Sequence, residues 1–194
     1  MLGLYKFLIK ILFPFFFIFI LIRRFSLKEH KVRYKEKLMS SYFNPIKKSN
    51  FLIWFHAASV GEVMSVFPII DKMKDDKRLS FLITTLTKSS SVIVEKKFMK
   101  NRNIVHRFLP LDNDKLVETF LKKWKPDLSI FVDSEIWPNF IFSIEKKKIP
   151  LVLLNARITK KTFKRWFFFK RFSEKLFGLF SVCMASRDIS LSLK

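Results

Sequence analysis

Glycine is almost missing from this chain. Three glycines in 194 residues exclude a glycine-rich phosphate loop of the usual kind, and no Gly-x-Gly-x-x-Gly occurs. Cys183 stands alone, so no internal disulfide can form, and no Cys/His cluster suggests a metal. A reducing compartment fits. Acidic residues are scarce as well: 16 Asp and Glu against 38 Lys and Arg leave a formal charge of +22. Such a charge implies an anionic partner, whether nucleic acid, anionic lipid or a phosphorylated substrate. Hydrophobic residues, by contrast, make up 49% of the chain and include 25 phenylalanines, which excludes a disordered basic tail. The length suits one domain with an appendage.

Residues 2–22 are apolar apart from Tyr5, Lys6 and Lys10. The stretch is just long enough to cross a bilayer if the two lysines snorkel near one end. No small-x-small cleavage site follows; Arg23-Arg24 does, and then Lys28, Lys31, Arg33, Lys35 and Lys37. The heavier positive flank places the remainder of the chain in the cytoplasm. Pro14 interrupts the stretch midway, so both a spanning and an interfacial helix fit. The expected organisation is a membrane anchor over 1–24, a basic linker over 25–50 and one domain over 51–194.

That domain is organised around Phe51-Leu-Ile-Trp-Phe-His-Ala-Ala-Ser-Val-Gly-Glu62. Phe51 to Phe55 form a continuous apolar run, the pattern of a strand buried on both faces. Small residues follow, and Gly61 and Glu62 open a helical pattern through Val63, Val66, Phe67 and Ile70. Further strands are predicted at 81–85, 104–109, 127–132, 150–155 and 182–184. Helices are predicted at 90–99, 114–124, 137–148 and 159–180. Repeated βα units of this length predict an α/β fold, a parallel sheet with helices on both faces.

Open sheets of this kind bind ligands outside the carboxyl ends of their strands. Glu62 falls there, in a first helical turn whose dipole favours a carboxylate, where it can accept a substrate proton or merely cap the helix. Asp133-Ser134-Glu135-Ile136-Trp137-Pro138-Asn139 follows the fourth strand, Asn155-Ala156-Arg157 the fifth, and Thr84-Thr85 with Lys88-Ser89-Ser90 the second. Each has a plain structural account. Asp133 and Ser134 can cap the next helix, Ser89 or Ser90 can do likewise, Arg157 can pair with a carboxylate, and His56 can be a bonded core histidine. Polar groups at successive strand ends, taken jointly, point to a site.

Five stretches carry a family resemblance: His56 to Glu62, Thr84-Thr85, Leu109-Pro110-Leu111-Asp112, Glu135 to Asn139, and Asn155-Ala156-Arg157. In order and spacing they resemble the 3-deoxy-D-manno-octulosonic acid (Kdo) transferases, over the region from the anchor to about Asp188. These bacterial enzymes of lipopolysaccharide synthesis move Kdo from CMP-Kdo to a lipid A precursor at the cytoplasmic face of the inner membrane. The resemblance implies the acceptor-binding, N-terminal Rossmann-like domain of a GT-B glycosyltransferase, with Glu62 as catalytic base and Asp133 and Glu135 in the site. It further implies Ser59, Gly61, Thr84, Thr85, Lys88, Ser89, Trp137, Asn139, Asn155 and Arg157 as substrate-binding residues. No cofactor or metal is implied; CMP-Kdo is a substrate, held mainly by a C-terminal domain that this sequence does not contain. A separately encoded C-terminal domain is therefore one expected partner, and a fragment, a split gene and a decayed gene all stay open.

Two departures from the family stand out. Asp133 replaces the first glutamate of a Glu-x-Glu motif and keeps its charge. Leu86-Thr87-Lys88-Ser89-Ser90 stands where Thr-Pro-Thr-Gly-Ser is usual. The positive charge finds a target in a phosphorylated lipid on an anionic membrane. Lys160 to Phe172 mixes cations with aromatics as an interfacial helix does, with Lys161, Arg165, Trp166, Phe167 and Lys170 as expected lipid contacts. Two rival classes remain. A nucleic-acid-binding module explains the charge but shows no such signature, so no nucleic acid is expected. An inactive, membrane-anchored scaffold would keep the fold without transfer.

Overall fold

Trp54 and Phe55 lie side by side on the first strand and point to opposite faces of the sheet, as the two-residue period requires. Both are fully buried, because helices cover both faces. The computed structural model describes residues 1–42, 50–133, 135–157, 164 and 166–185. Its strands are β1 (Phe51–His56), β2 (Leu79–Thr85), β3 (Ile104–Phe108), β4 (Leu128–Val132), β5 (Leu151–Ala156) and β6 (Val182–Ala185). All pair in parallel, in the order β3-β2-β1-β4-β5-β6. The expected α/β fold is present. The order reverses between β1 and β4, which opens a crevice at their carboxyl ends.

Helices α2 (Val60–Met73) and α3 (Lys88–Phe98) share one core with Ile53, Phe55, Phe81 and Ile83. Helices α4 (Asp114–Trp124), α5 (Pro138–Lys146) and α6 (Lys170–Phe177) enclose Trp54, Phe131 and Leu153 on the other face. Trp54 is the hub of that second core, with the rings of Phe120, Phe131 and Phe140 at 5.1, 5.2 and 5.5 Å. Such offset and edge contacts add about 0.5–1.5 kcal/mol per pair beyond area burial.

Two helix starts differ from expectation. α3 begins at Lys88 because Thr87 is its cap, its Oγ1 accepting the Ser90 N–H at 3.1 Å. A threonine cap needs neither proline nor glycine. α5 begins only at Pro138 and has no local side-chain cap. Asp112, after β3, supplies it instead: Oδ2 accepts the Asn139 N–H and Oδ1 the Phe140 N–H, both at 3.0 Å. Asp133 therefore does not cap this helix, and Ser134 lies outside the described residues.

The apolar stretch at the start forms α1 (Leu2–Phe25), a continuous helix through Pro14 and long and apolar enough to cross a membrane. It also touches the domain. Tyr5 donates its hydroxyl to Asp112 Oδ2 at 2.7 Å, Lys6 pairs with Asp114 at 3.0 Å, and Phe13 packs on the second core. The segment expected as a basic linker is docked over residues 29–38. Glu29, Glu36 and Lys37 are buried, Lys37 bonds Glu29 at 2.5 Å and the Leu86 carbonyl at 2.7 Å, and Glu36 accepts the Phe108 N–H at 2.8 Å. Its buried cation, Lys37, is thus met by a carboxylate and a carbonyl, so burial leaves no bare charge there.

Of the basic aromatic stretch, Lys161 and Arg165 lie outside the described residues. Trp166, expected at the membrane, turns inward, its ring 5.5 Å from that of Phe177 and against the second core. Phe167, Phe168 and Phe169 face outward instead, 62%, 84% and 53% exposed, and Lys170 opens α6 beside Glu174 at 3.9 Å.

Candidate active site at the carboxyl ends of the strands

Ser59 and Glu62 are three residues apart across a helix start, and they close a reciprocal cap. Ser59 Oγ accepts the Glu62 N–H at 3.4 Å; Glu62 Oε1 accepts the Ser59 hydroxyl at 2.7 Å and Oε2 the Ala58 N–H at 2.8 Å. The capping account of Glu62 is thus correct, yet it does not exhaust the side chain. A carboxylate has about four lone-pair sites, and two remain on a half-buried group that lines a cleft of about 230 Å³. Ser59, Gly61, Ser65, Val132, Asp133, Asn155 and Arg157 complete its walls.

The cleft sits at the reversal of strand order. Asp133 and Asn155, the polar residues ending β4 and β5, both adopt the left-handed conformation, with φ of 60° and 55°. Asp and Asn tolerate that region best among residues other than glycine, and in Asn155 it accompanies a register shift between β5 and β6. Held strain at adjacent strand ends is typical of functional sites. Gly61 has no atom within 4 Å of where a Cβ would lie, and its φ is not positive. Nothing among the described residues therefore requires glycine there. Gly61→Ala should leave stability unchanged or raise it by up to about 1 kcal/mol; thermal unfolding checks this, and a loss would show a backbone role instead.

Beside the cleft, His56 is fully buried at the end of β1. Its Nδ1 is 3.0 Å from Thr84 Oγ1 and its Nε2 is 3.3 Å from Glu135 Oε2. Trp54 Nε1–H donates to Thr84 Oγ1 at 2.8 Å, and Trp137 Nε1–H to Glu135 Oε2 at 2.8 Å. His56 Nδ1 also lies 3.2 Å from the Thr84 carbonyl, so Thr84 and Glu135 hold the buried ring from its two nitrogens. Burial pushes the Glu135 carboxyl up, but the His56 and Trp137 donors outweigh it and hold the group below the usual glutamate range.

With this geometry established, comparison with known sequences decides the lineage. The profile of the family described as 3-deoxy-D-manno-octulosonic-acid transferase (kdotransferase) matches residues 26–191. The chain belongs to the Kdo transferase family. It is 38% identical over 192 residues to a 3-deoxy-D-manno-octulosonic acid transferase of Rickettsia bellii, covering 97% of this chain and 45% of that protein. A probable mitochondrial enzyme of the same name from Arabidopsis thaliana is 37% identical over 147 residues, 74% of this chain and 32% of that protein. The Haemophilus influenzae transferase is 32% identical over 139 residues, 71% and 32%. The chain thus spans less than half the length of these curated relatives.

Within this chain the sequence-derived residues divide. Ser59, Gly61, Glu62, Asp133, Asn155 and Arg157 meet at one cleft. Glu135 and Trp137 stand beside it, part-buried. Lys88 and Ser89 are exposed at the start of α3, outside the cleft lining. Thr84, Thr85 and Asn139, expected to bind substrate, are buried with polar partners of their own. Thr84 serves His56. Thr85 Oγ1 lies 2.9 Å from Nε2 of His106, whose Nδ1 is 2.9 Å from Arg33, and burial, reinforced by Arg33, holds that imidazole neutral. Asn139 Nδ2 donates to the Asp112 carbonyl. Three contributors were missed. Ser65 lies one turn beyond Glu62 and was legible from helical spacing; the linkage of His56 to Glu135 and the capping role of Asp112 cross long sequence separations and left no local signal.

Proposed function

We propose that the complete protein transfers Kdo from CMP-Kdo to a lipid A precursor (lipid IVA), with residues of this chain forming the acceptor side. The observation that carries this reading is the convergence of Glu62, Asp133, Asn155 and Arg157 on one cleft at the strand-order reversal. Glu62 takes the proton of a glucosamine 6′-hydroxyl as that oxygen bonds to the anomeric carbon of Kdo. The bond from this carbon to the phosphate oxygen of CMP breaks, and its electron pair leaves with CMP. Arg157 and Asn155 orient the phosphorylated acceptor, with Lys88 and Ser89 as outer contacts. Asp133 and Glu135 shape the field around the base. The reading gives no role to a metal, cofactor or covalent intermediate.

A C-terminal domain, in the same chain or encoded separately, would hold the CMP moiety across the cleft. The apolar α1 and the charge of +22 support attachment to an anionic membrane, the cytoplasmic face of the inner membrane on this reading. The test joins this chain to the C-terminal half of the Rickettsia bellii relative and supplies CMP-Kdo with lipid IVA. Mass spectrometry should show Kdo added to the lipid. Failure to form product while both substrates bind would reject the reading.

A further inference from the structure

A second cavity, of about 880 Å³, lies between α1 and the domain, apart from the strand-end cleft. Part of its wall is apolar: Phe7 and Phe13 from α1, Leu38 and Met39 at the end of the docked segment, and Leu116 from α4. The rest of the lining is polar: Asp114 is already paired with Lys6, whereas Lys10 and Lys115 are exposed and neither ammonium has a carboxylate or hydrogen-bond partner among the described residues. The volume falls within the range of about 300–1,000 Å³ typical of small-molecule sites.

The cavity has a defined roof. Tyr5–Asp112 at 2.7 Å and Lys6–Asp114 at 3.0 Å pin the first turns of α1 to the start of α4. Phe7 lines the cavity and is also 59% exposed, so the cavity opens onto the outer surface of α1. That surface is apolar along its length, with Leu4, Leu8, Ile11 and Phe15 all exposed. The trough joins an apolar wall and two unpaired lysines, and it opens on a helix of membrane-spanning composition. It suits a molecule with a long apolar tail and an anionic head.

We propose that this trough binds one acyl chain of an anionic phospholipid, whose phosphate is met by Lys10 and Lys115. Burial of the acyl methylenes supplies affinity and the lysines supply headgroup selectivity. A bound lipid would fill the space beneath α1 and hold it against the domain. This inference does not depend on the transferase reading.

The test uses the full chain in detergent, titrated with phosphatidylglycerol, with phosphatidylcholine and with inorganic phosphate as separate arms, and followed by native mass spectrometry. The expected result is a saturable 1:1 phosphatidylglycerol complex, binding of phosphatidylcholine at least about tenfold weaker, and no displacement by millimolar phosphate. Ser41 is exposed and lines the cavity, so Ser41→Trp obstructs it at little risk to folding and should weaken binding about tenfold or more. Lys10→Glu with Lys115→Glu should abolish the preference for the anionic lipid. Equal retention of both lipids, displacement by phosphate alone, or undiminished binding by Ser41→Trp would each overturn the proposal.

Discussion

Glu62→Gln should lower Kdo transfer by about two to four orders of magnitude, the usual worth of a positioned general base. The fold should tolerate the change. In the reciprocal cap the glutamate accepts from the Ala58 N–H at one oxygen and from the Ser59 hydroxyl at the other; a glutamine keeps one acceptor for the Ala58 N–H, and the Ser59 hydroxyl can turn to accept from its NH2. The expected cost is therefore below about 1 kcal/mol, the scale of a whole cap. What the amide cannot do is accept a proton at neutral pH. The two roles thus separate within one substitution: capping largely survives, and proton transfer does not. Glu62→Ala removes both and should lose stability as well as turnover. The measurement pairs turnover of the completed enzyme with denaturant unfolding of each variant. A glutamine variant that kept wild-type turnover would remove Glu62 from the base role and leave it as a cap alone.

The strands were legible because burial on both faces forces unbroken apolar runs: Phe51 to Phe55, Phe81 to Ile83 and Ile130 to Val132 could be little else. Where charges are paired at a distance, sequence reading failed. Arg33 looks like part of a solvated basic run until the fold brings Glu95 to it from 62 positions away. Most of the cleft residues were found because they lie at or just beyond the carboxyl end of a strand, which topology alone sends to one edge of the sheet. Which of them face outward was not legible. Thr84 and Asn139 sit at the same edge as Asn155, but their side chains are drawn inward by His56 and Asp112. The left-handed turn at Asp133 is likewise a tertiary fact, since aspartate is equally at home in a cap. His56 was read as a bonded core histidine, and it is one; its bond to Glu135 spans 79 positions and leaves no periodic trace.

Asp112→Ala should be among the most destabilising single changes, because one side chain holds three elements together. Its carboxyl caps the uncapped start of α5 through Asn139 and Phe140 and receives the Tyr5 hydroxyl from α1. Removing it strands two buried backbone N–H groups, at about 1–3 kcal/mol each. A loss of about 3 kcal/mol follows, read as a lower denaturant midpoint at unchanged slope. Burial pushes the Asp112 carboxyl up to about 6 from 3.8, against the pull of its three donors. The folded state therefore holds this proton more tightly than the unfolded chain. The corresponding stability is fully present below about pH 4 and is lost as pH rises through about 6, on the order of 3 kcal/mol in total. Asp112→Asn cannot titrate, so the stability difference between wild type and this variant should change with pH across that window and stay flat above it. The same variant keeps one acceptor oxygen and should fall between wild type and alanine at pH 7. Because α5 follows directly on Glu135 and Trp137, loosening its start should also release the His56 bond, detectable as a changed Trp137 fluorescence. A wild-type midpoint for the alanine variant, or a difference from Asp112→Asn that is independent of pH between 4 and 6, would show that the start of α5 is held by something else.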